Sequence, residues 1–124
     1  MVNINRKIED ALSSLVDNNI WPLSKPGEAR IDNYIVYRPE TEKPASFADD
    51  EDQEWQYRME INWYARNSAH TPVNCQKVRK QIRKALRTAE FTVESIVEGF
   101  EKDTGYTYLT VICSILEDDP YGEN

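Results

Sequence analysis

Asp103-Thr104-Gly105 is the tripeptide in this chain whose residue types could carry catalysis. It matches the active-site signature of the aspartic proteases. There, two carboxylates share one proton in a water-poor cleft, because like charges in contact cannot both ionise. A chain of 124 residues would have to dimerise to bring two such Asp residues together. The flanks point elsewhere. Charged Glu101 and Lys102 precede Asp103 where burial needs apolar residues, and Tyr106-Thr107-Tyr108 opens an alternating run behind it. An Asp followed two residues on by Gly suits a short hairpin loop in which Gly105 supplies positive φ. The tripeptide therefore reads as a turn, with a dimeric aspartic protease as the alternative.

The remaining reactive residues are scattered. His70, the one histidine, sits in a polar stretch with no Cys, His or carboxylate at ligand spacing, so a surface turn is expected rather than catalysis or metal binding. Cys75 and Cys113 form no CxxC pattern and read as reduced core residues. Ser13-Ser14 fall inside a helical stretch with no base in prospect. No phosphate-binding glycine loop, GxSxG or HExxH is present. The run Asp49-Asp50-Glu51-Asp52 offers oxygen ligands but lacks the alternating spacing and central Gly of a calcium loop. No cofactor and no metal are expected.

The elements that position these residues follow from hydrophobic period. Ile4, Ile8, Ala11, Leu12, Leu15 and Val16 share one face of a helix over about residues 3–17, with Asn3 or Asn5 as its cap. Ile20, Trp21 and Leu23 form an apolar anchor expected to pack under it. Tyr34–Tyr37 reads as a short strand stopped by Arg38-Pro39. Residues 40–54 read as a solvated acidic loop. Trp55, Tyr57, Met59, Ile61 and Trp63 alternate with Gln56, Arg58, Glu60, Asn62 and Tyr64, the pattern of a strand in an antiparallel sheet with one covered face. Thr71-Pro72 is expected to open a second helix, capped by Thr71, whose buried stripe is Cys75, Val78, Ile82, Ala85, Leu86 and Ala89. Residues 91–100 and 106–116 read as strands of a hairpin, and 117–124 as a frayed acidic tail.

The expected fold is α+β: a two-layer sandwich with a mostly antiparallel four-stranded sheet and two helices packed on one face. One domain spans residues 1–124. Residues 1–7 have no apolar run behind them and no stretch reaches membrane-spanning length, so a soluble protein without a membrane partner is expected.

Charge is distributed unevenly. The net charge is -7, which opposes approach to phosphate. Yet the second helical segment carries Lys77, Arg79, Lys80, Arg83, Lys84 and Arg87 and no acid. These cations circle the helix without interleaved aromatics, which argues against a nucleic-acid grip; a small nucleic-acid-binding module is a further alternative. A subunit with one anionic and one cationic surface can join head to tail with copies of itself. Asp49, Asp50, Glu51 and Asp52 on one side, and Arg79, Lys80, Arg83 and Arg87 on the other, are the candidate interface residues. Tyr64 falls on the second face of the sheet, where an oligomer would cover it; for the 106–116 strand the pattern leaves open whether Tyr106 and Tyr108 or their alternates share that face.

Several segments together carry a family resemblance. These are Ile20-Trp21-Pro22-Leu23, Tyr34-Ile35-Val36-Tyr37 with its Arg38-Pro39-Glu40 exit, and Phe47-Ala48-Asp49-Asp50 leading into Trp55-Gln56-Tyr57-Arg58-Met59. Residues 78–86, Phe91-Thr92-Val93 and Glu101–Tyr106 complete the set. The chain resembles the small tail-completion or tail-terminator proteins of long-tailed bacteriophages and prophages of Gram-positive bacteria. The resemblance implies a non-enzymatic virion tail protein, assembled in the host cytoplasm, that forms a hexameric ring. Such a ring caps the tail tube, ends its polymerisation and offers the surface for head joining. Its implied partners are copies of itself, the tail-tube protein and the head-tail connector protein, with DNA passing through unbound. A head-completion or connector protein of the same virion is the nearest alternative.

Overall fold

The computed structural model of the chain describes residues 3–45, 54–66 and 74–118. The first helix, α1, spans Ile4–Leu12 and tightens into a 3-10 turn over Ser13–Val16. Asn3 caps it as expected: its side-chain oxygen accepts from the Arg6 N–H at 3.0 Å, satisfying a donor that the helix start leaves unpaired. The Ser13 hydroxyl donates back to the Glu9 carbonyl, a contact that bends helices. Asp17 and Asn18 then take left-handed φ values of 50° and 65° and reverse the chain.

That reversal corrects one expectation. Ile20–Pro22 is a strand, β1, lying parallel to β2 (Asn33–Pro44) with Ile20 opposite Ile35. The other strands are β3 (Glu54–Arg66), β4 (Thr92–Glu101) and β5 (Tyr106–Asp118). The sheet has five strands rather than four, in the order β1-β2-β3-β5-β4. It is mixed, since only the β1–β2 pair is parallel.

A second correction concerns β2, which does not stop at Arg38-Pro39 but runs on to Pro44. The Ile35 N–H donates to Asn19 O at 2.9 Å and the Tyr37 carbonyl accepts from Leu23 N–H at 2.8 Å. Backbone groups alternate sides along a strand, so 35, 37 and 39 all face away from β3. Pro39 lacks its N–H where the β3 ladder needs none. One residue later Glu40 is extruded as a bulge, and pairing resumes at Thr41. The acidic loop is therefore shorter than the expected 40–54; residues 46–53 lie outside the described residues.

The alternation of β3 holds. Tyr57, Met59, Ile61, Trp63 and Ala65 are buried, with Trp55 half-buried at the rim. They pack with Ile35 and Tyr37 of β2 and Leu109, Val111, Cys113 and Ile115 of β5. Above this face sit Ile8 and Leu12 of α1 and Ile82 and Leu86 of α2 (Cys75–Thr88), so both helices cover one side of the sheet as expected. Asn33 ties the layers: Trp63 Nε1 donates to its Oδ1 at 2.7 Å, and its Nδ2 donates to Leu15 O at 3.2 Å. The α2 cap differs from expectation. It is Asn74, which accepts from Lys77 N–H at 3.0 Å; Thr71 and Pro72 lie outside the described residues. Cys75 and Cys113 are free thiols, and burial pushes Cys113 up to about 12.

Candidate interaction surface

Asp103 is where turn chemistry puts it. Residues 102–105 connect β4 to β5, Asp103 is exposed, and Gly105 adopts φ +78° with its N–H on Glu101 O at 2.8 Å. Nothing buries this carboxylate. His70 lies outside the described residues. Among the described residues no group of three or more His, Cys, Asp and Glu is arranged to hold a metal. No described helix is long and apolar enough to cross a membrane. A groove of about 590 Å³ runs between the helices over Ala11, Leu15, Ala85 and Ala89. The Thr88 hydroxyl on its wall is already committed to Lys84 O at 2.9 Å, so the groove pairs no nucleophile with a base.

The face of the sheet away from the helices carries two clusters. The first is aromatic and crosses the strands. Tyr34 of β2 stacks on Tyr64 of β3 with ring centroids 4.9 Å apart, and Tyr64 meets Tyr108 of β5 at 6.2 Å. Trp21 of β1 extends the row at 6.3 Å from Tyr34. Tyr106 meets Tyr34 edge-on at 5.8 Å and donates its hydroxyl to Ile31 O at 2.5 Å. Burial, then the neighbouring Tyr106 and Tyr64, pushes the Tyr34 phenol up to about 12. Tyr64 faces away from the core as expected, and of the two alternatives on β5 it is Tyr106 and Tyr108 that share its face.

The second cluster is ionic, and sequence reading did not find it. Arg38 of β2 grips Glu60 of β3 through two nitrogens at 2.8 and 3.3 Å. Asn62 donates to the same carboxylate at 2.9 Å, and Thr110 of β5 donates to Asn62 at 2.7 Å. The hydrogen bond from Arg38, then that from Asn62, holds the Glu60 carboxyl below the usual carboxylate range. Further along, Arg58 lies between Glu40 at 3.1 Å and Glu94 at 3.0 Å. Both partners are bulge residues, since the register of β4 also shifts between Val93 and Ser95. The polar half of the β3 alternation was visible in the sequence; the bulges that supply its partners were not.

The candidate cations lie on α2. Arg79 is tied within the chain to Glu98 of β4 at 2.5 Å. Lys77, Lys80, Arg83, Lys84 and Arg87 have no ion pair among the described residues. Lys80 and Arg87 are exposed and Arg83 half-buried. Asp49, Asp50, Glu51 and Asp52 lie outside the described residues, so only the cationic half of the candidate interface has a described geometry.

These features define an α+β subunit with ionic, aromatic and cationic surfaces. Residues 7–117 match the model of the family described as tail completion protein gp17, and the chain belongs to that family of structural phage tail proteins. In three dimensions it is similar to a chain of a structure titled virion of native gene transfer agent particle. The TM-score is 0.58 at 7% identity, over 94% of this chain and 95% of that one, a likeness of fold. No curated protein sequence matches the chain.

Proposed function

We propose that this protein caps the tail tube as a ring, six copies in the reading the family resemblance favours. The cap ends tail polymerisation and presents the surface to which the head joins. Membership of the tail-completion family supports a role at the tail. The observation that carries the ring is the charge asymmetry. On a chain of net charge -7, α2 presents Lys77, Lys80, Arg83, Lys84 and Arg87, none of which has an ion pair among the described residues. An outward cationic face of this kind is complementary to the acidic stretch Asp49-Asp50-Glu51-Asp52 of a neighbouring copy. The mechanism is capping by surface complementarity, with these charges setting register and no bond-making step. The acidic remainder of the chain leaves DNA free to pass without binding.

Particles assembled without this protein test the function. Tails of uncontrolled length, seen by electron microscopy, are expected; tails of normal length with unattached heads would move the role to the neck connector. Charge exchange tests the contact. Lys80→Glu with Arg83→Glu is expected to abolish capping, and Asp49→Lys with Asp50→Lys in the same chain is expected to restore it. Gel shift of short duplex DNA by the purified protein at physiological ionic strength would instead favour a nucleic-acid role for α2.

A further inference from the structure

We propose that Leu23 of one copy inserts into the groove between α1 and α2 of a second copy. This rests on the reading above that copies of the chain meet, and it adds an apolar contact to the charges which that reading invokes.

Leu23 follows β1 and is unusual in two respects. Its side chain is 70% exposed, the highest value for a large apolar residue among the described ones. Its backbone holds φ +70°, a value that marks an outlier for a bulky side chain. Two hydrogen bonds keep it there. The Leu23 N–H donates to Tyr37 O at 2.8 Å, and the Ser24 N–H donates to Pro22 O at 2.8 Å. The second closes a γ-turn centred on Leu23, and a positive central φ is the rarer, strained form of that turn. Downstream, the Lys25 ammonium braces the loop on the carbonyls of Gly27 and Ala29 at 3.3 and 2.7 Å. The same loop takes φ +74° at Gly27, where the missing Cβ makes it free of strain. Position 23 thus combines backbone strain with an apolar side chain in water, and each is unfavourable in the lone subunit. Strained residues cluster at functional contacts. A contact that buries Leu23 removes the exposure and accounts for the strain.

The groove has the matching character. Its floor is Ala11 and Leu15 of α1 with Ala85 and Ala89 of α2. Three alanines there leave open the space that longer side chains would fill, and about 590 Å³ admits a leucine with part of its turn. The charges fit as well. Around the groove, Asp10 pairs with Arg6 and Lys7 with Glu117, while Lys84 and Glu90 have no ion pair among the described residues. In the loop after Leu23, Arg30 pairs with Asp32, while Lys25 and Glu28 have no ion pair among the described residues. Lys84 and Glu90 on one surface are therefore complementary to Glu28 and Lys25 on the other. The two surfaces belong to different copies. Leu23 is exposed at the β1 edge of the sheet, whereas the groove lies between the helices that cover one face. A contact between two different patches is head to tail, the class that closes into a ring when the rotation allows. It is also compatible with the charge pairing above. β2 runs on past Tyr37 to Pro44, and Asp49-Asp50-Glu51-Asp52 follow in the sequence. Lys84 on the groove wall belongs to α2, whose Lys80 and Arg87 are exposed.

Two one-sided variants of the full chain provide the test. Leu23→Gly removes the side chain and relieves the strained φ; Leu23→Met keeps an apolar side chain of similar size. Ala85→Gln fills the groove with a good helix former. Self-association by sedimentation is expected to weaken at least about tenfold in Leu23→Gly and in Ala85→Gln, the loss that follows when a buried leucine side chain no longer finds its site. Leu23→Met is expected to associate within a few-fold of wild type. Leu23→Gly is expected to melt no lower than wild type, because the lone subunit gains nothing from this side chain. Mixing Leu23→Gly with Ala85→Gln is expected to give a pair that grows no further, since each supplies the half the other lacks. Association of Leu23→Gly equal to wild type overturns the proposal, as does a mixture that forms no pair. A Leu23→Gly chain that melts well below wild type would give Leu23 a role inside the subunit and overturn it too. So would a wild type that stays monomeric at high concentration. Leu23→Gly particles with normal tails, where particles lacking the protein have aberrant ones, would overturn the Leu23 contact and leave the capping function standing. Normal tails without the protein would overturn the function itself.

Discussion

Arg58 reaches across Ser114 to Glu94. Its Nη2 lies 3.0 Å from the Glu94 carboxylate, although β5 separates the two strands that carry them. Ser114 is the β5 residue directly opposite Arg58 and is buried at 7% exposure beneath it. A small residue at that position is what lets a guanidinium on β3 join a bulge on β4. Ser114→Val is expected to lift Arg58 off this path and cost about 1–3 kcal/mol, the usual penalty of overfilling a packed site. Ser114→Ala is expected to stay within about 0.5 kcal/mol of wild type. Denaturant unfolding of the two variants separates steric from polar effects.

Gly99 and Tyr108 form a coupled pair of a different kind. They are opposite each other on β4 and β5, and a Cβ added to Gly99 would fall 2.2 Å from Tyr108 Cζ. The ring therefore occupies the space that a side chain would take, covering a glycine that otherwise weakens a strand. Gly99→Ala is expected to destabilise the wild type by about 1 kcal/mol by expelling Tyr108, and to be neutral or stabilising in a Tyr108→Ala background. The coupling in this double-mutant cycle should be about 0.5–3 kcal/mol; additivity would show that the ring does not depend on the glycine.

What the sequence made legible was periodic. Strict alternation from Trp55 to Tyr64 named the buried and open faces of β3, and the α2 stripe from Cys75 to Ala89 named its core side. Non-periodic devices escaped. Three residues, Ile20–Pro22, are too few to express a period, so β1 read as an anchor rather than a strand. Pro39 read as a stop because local rules see a missing N–H and not the side of the strand it is missing from. The Glu40–Arg58–Glu94 arrangement depends on two bulges, and a bulge leaves no mark on composition.

The turn at residues 102–105 predicts opposite behaviour from neighbouring residues. Gly105 holds φ +78°, a region that costs a residue with a Cβ about 1–2 kcal/mol. Gly105→Ala is expected to lower stability by about that amount in a thermal or denaturant melt. Asp103 is exposed, and Asp103→Asn is expected to leave stability within about 0.5 kcal/mol of wild type. Loss of any peptidase activity in Asp103→Asn would restore the protease reading.

Alkaline pH probes the buried phenols and thiol together. Burial, then the neighbouring Tyr106 and Tyr64, raises Tyr34 from 10.0 to about 12, and burial, then nearby Glu94, raises Cys113 from 9.0 to about 12. Tyr37 is raised further still, by burial and by its hydrogen bond to Glu9. In each case the unfolded chain releases its proton first. The stabilisation is complete below the unfolded value and is lost as pH rises through the window up to the folded one. Stability should therefore begin to fall above pH 9 as Cys113 enters its window and fall more steeply above pH 10 as the phenols follow. Denaturant midpoints across that range measure the slope. Tyr34→Phe is expected to flatten the part above pH 10 and leave the Cys113 part unchanged. An unchanged slope in that variant would mean that the Tyr34 phenol ionises in the folded sheet as easily as in the open chain.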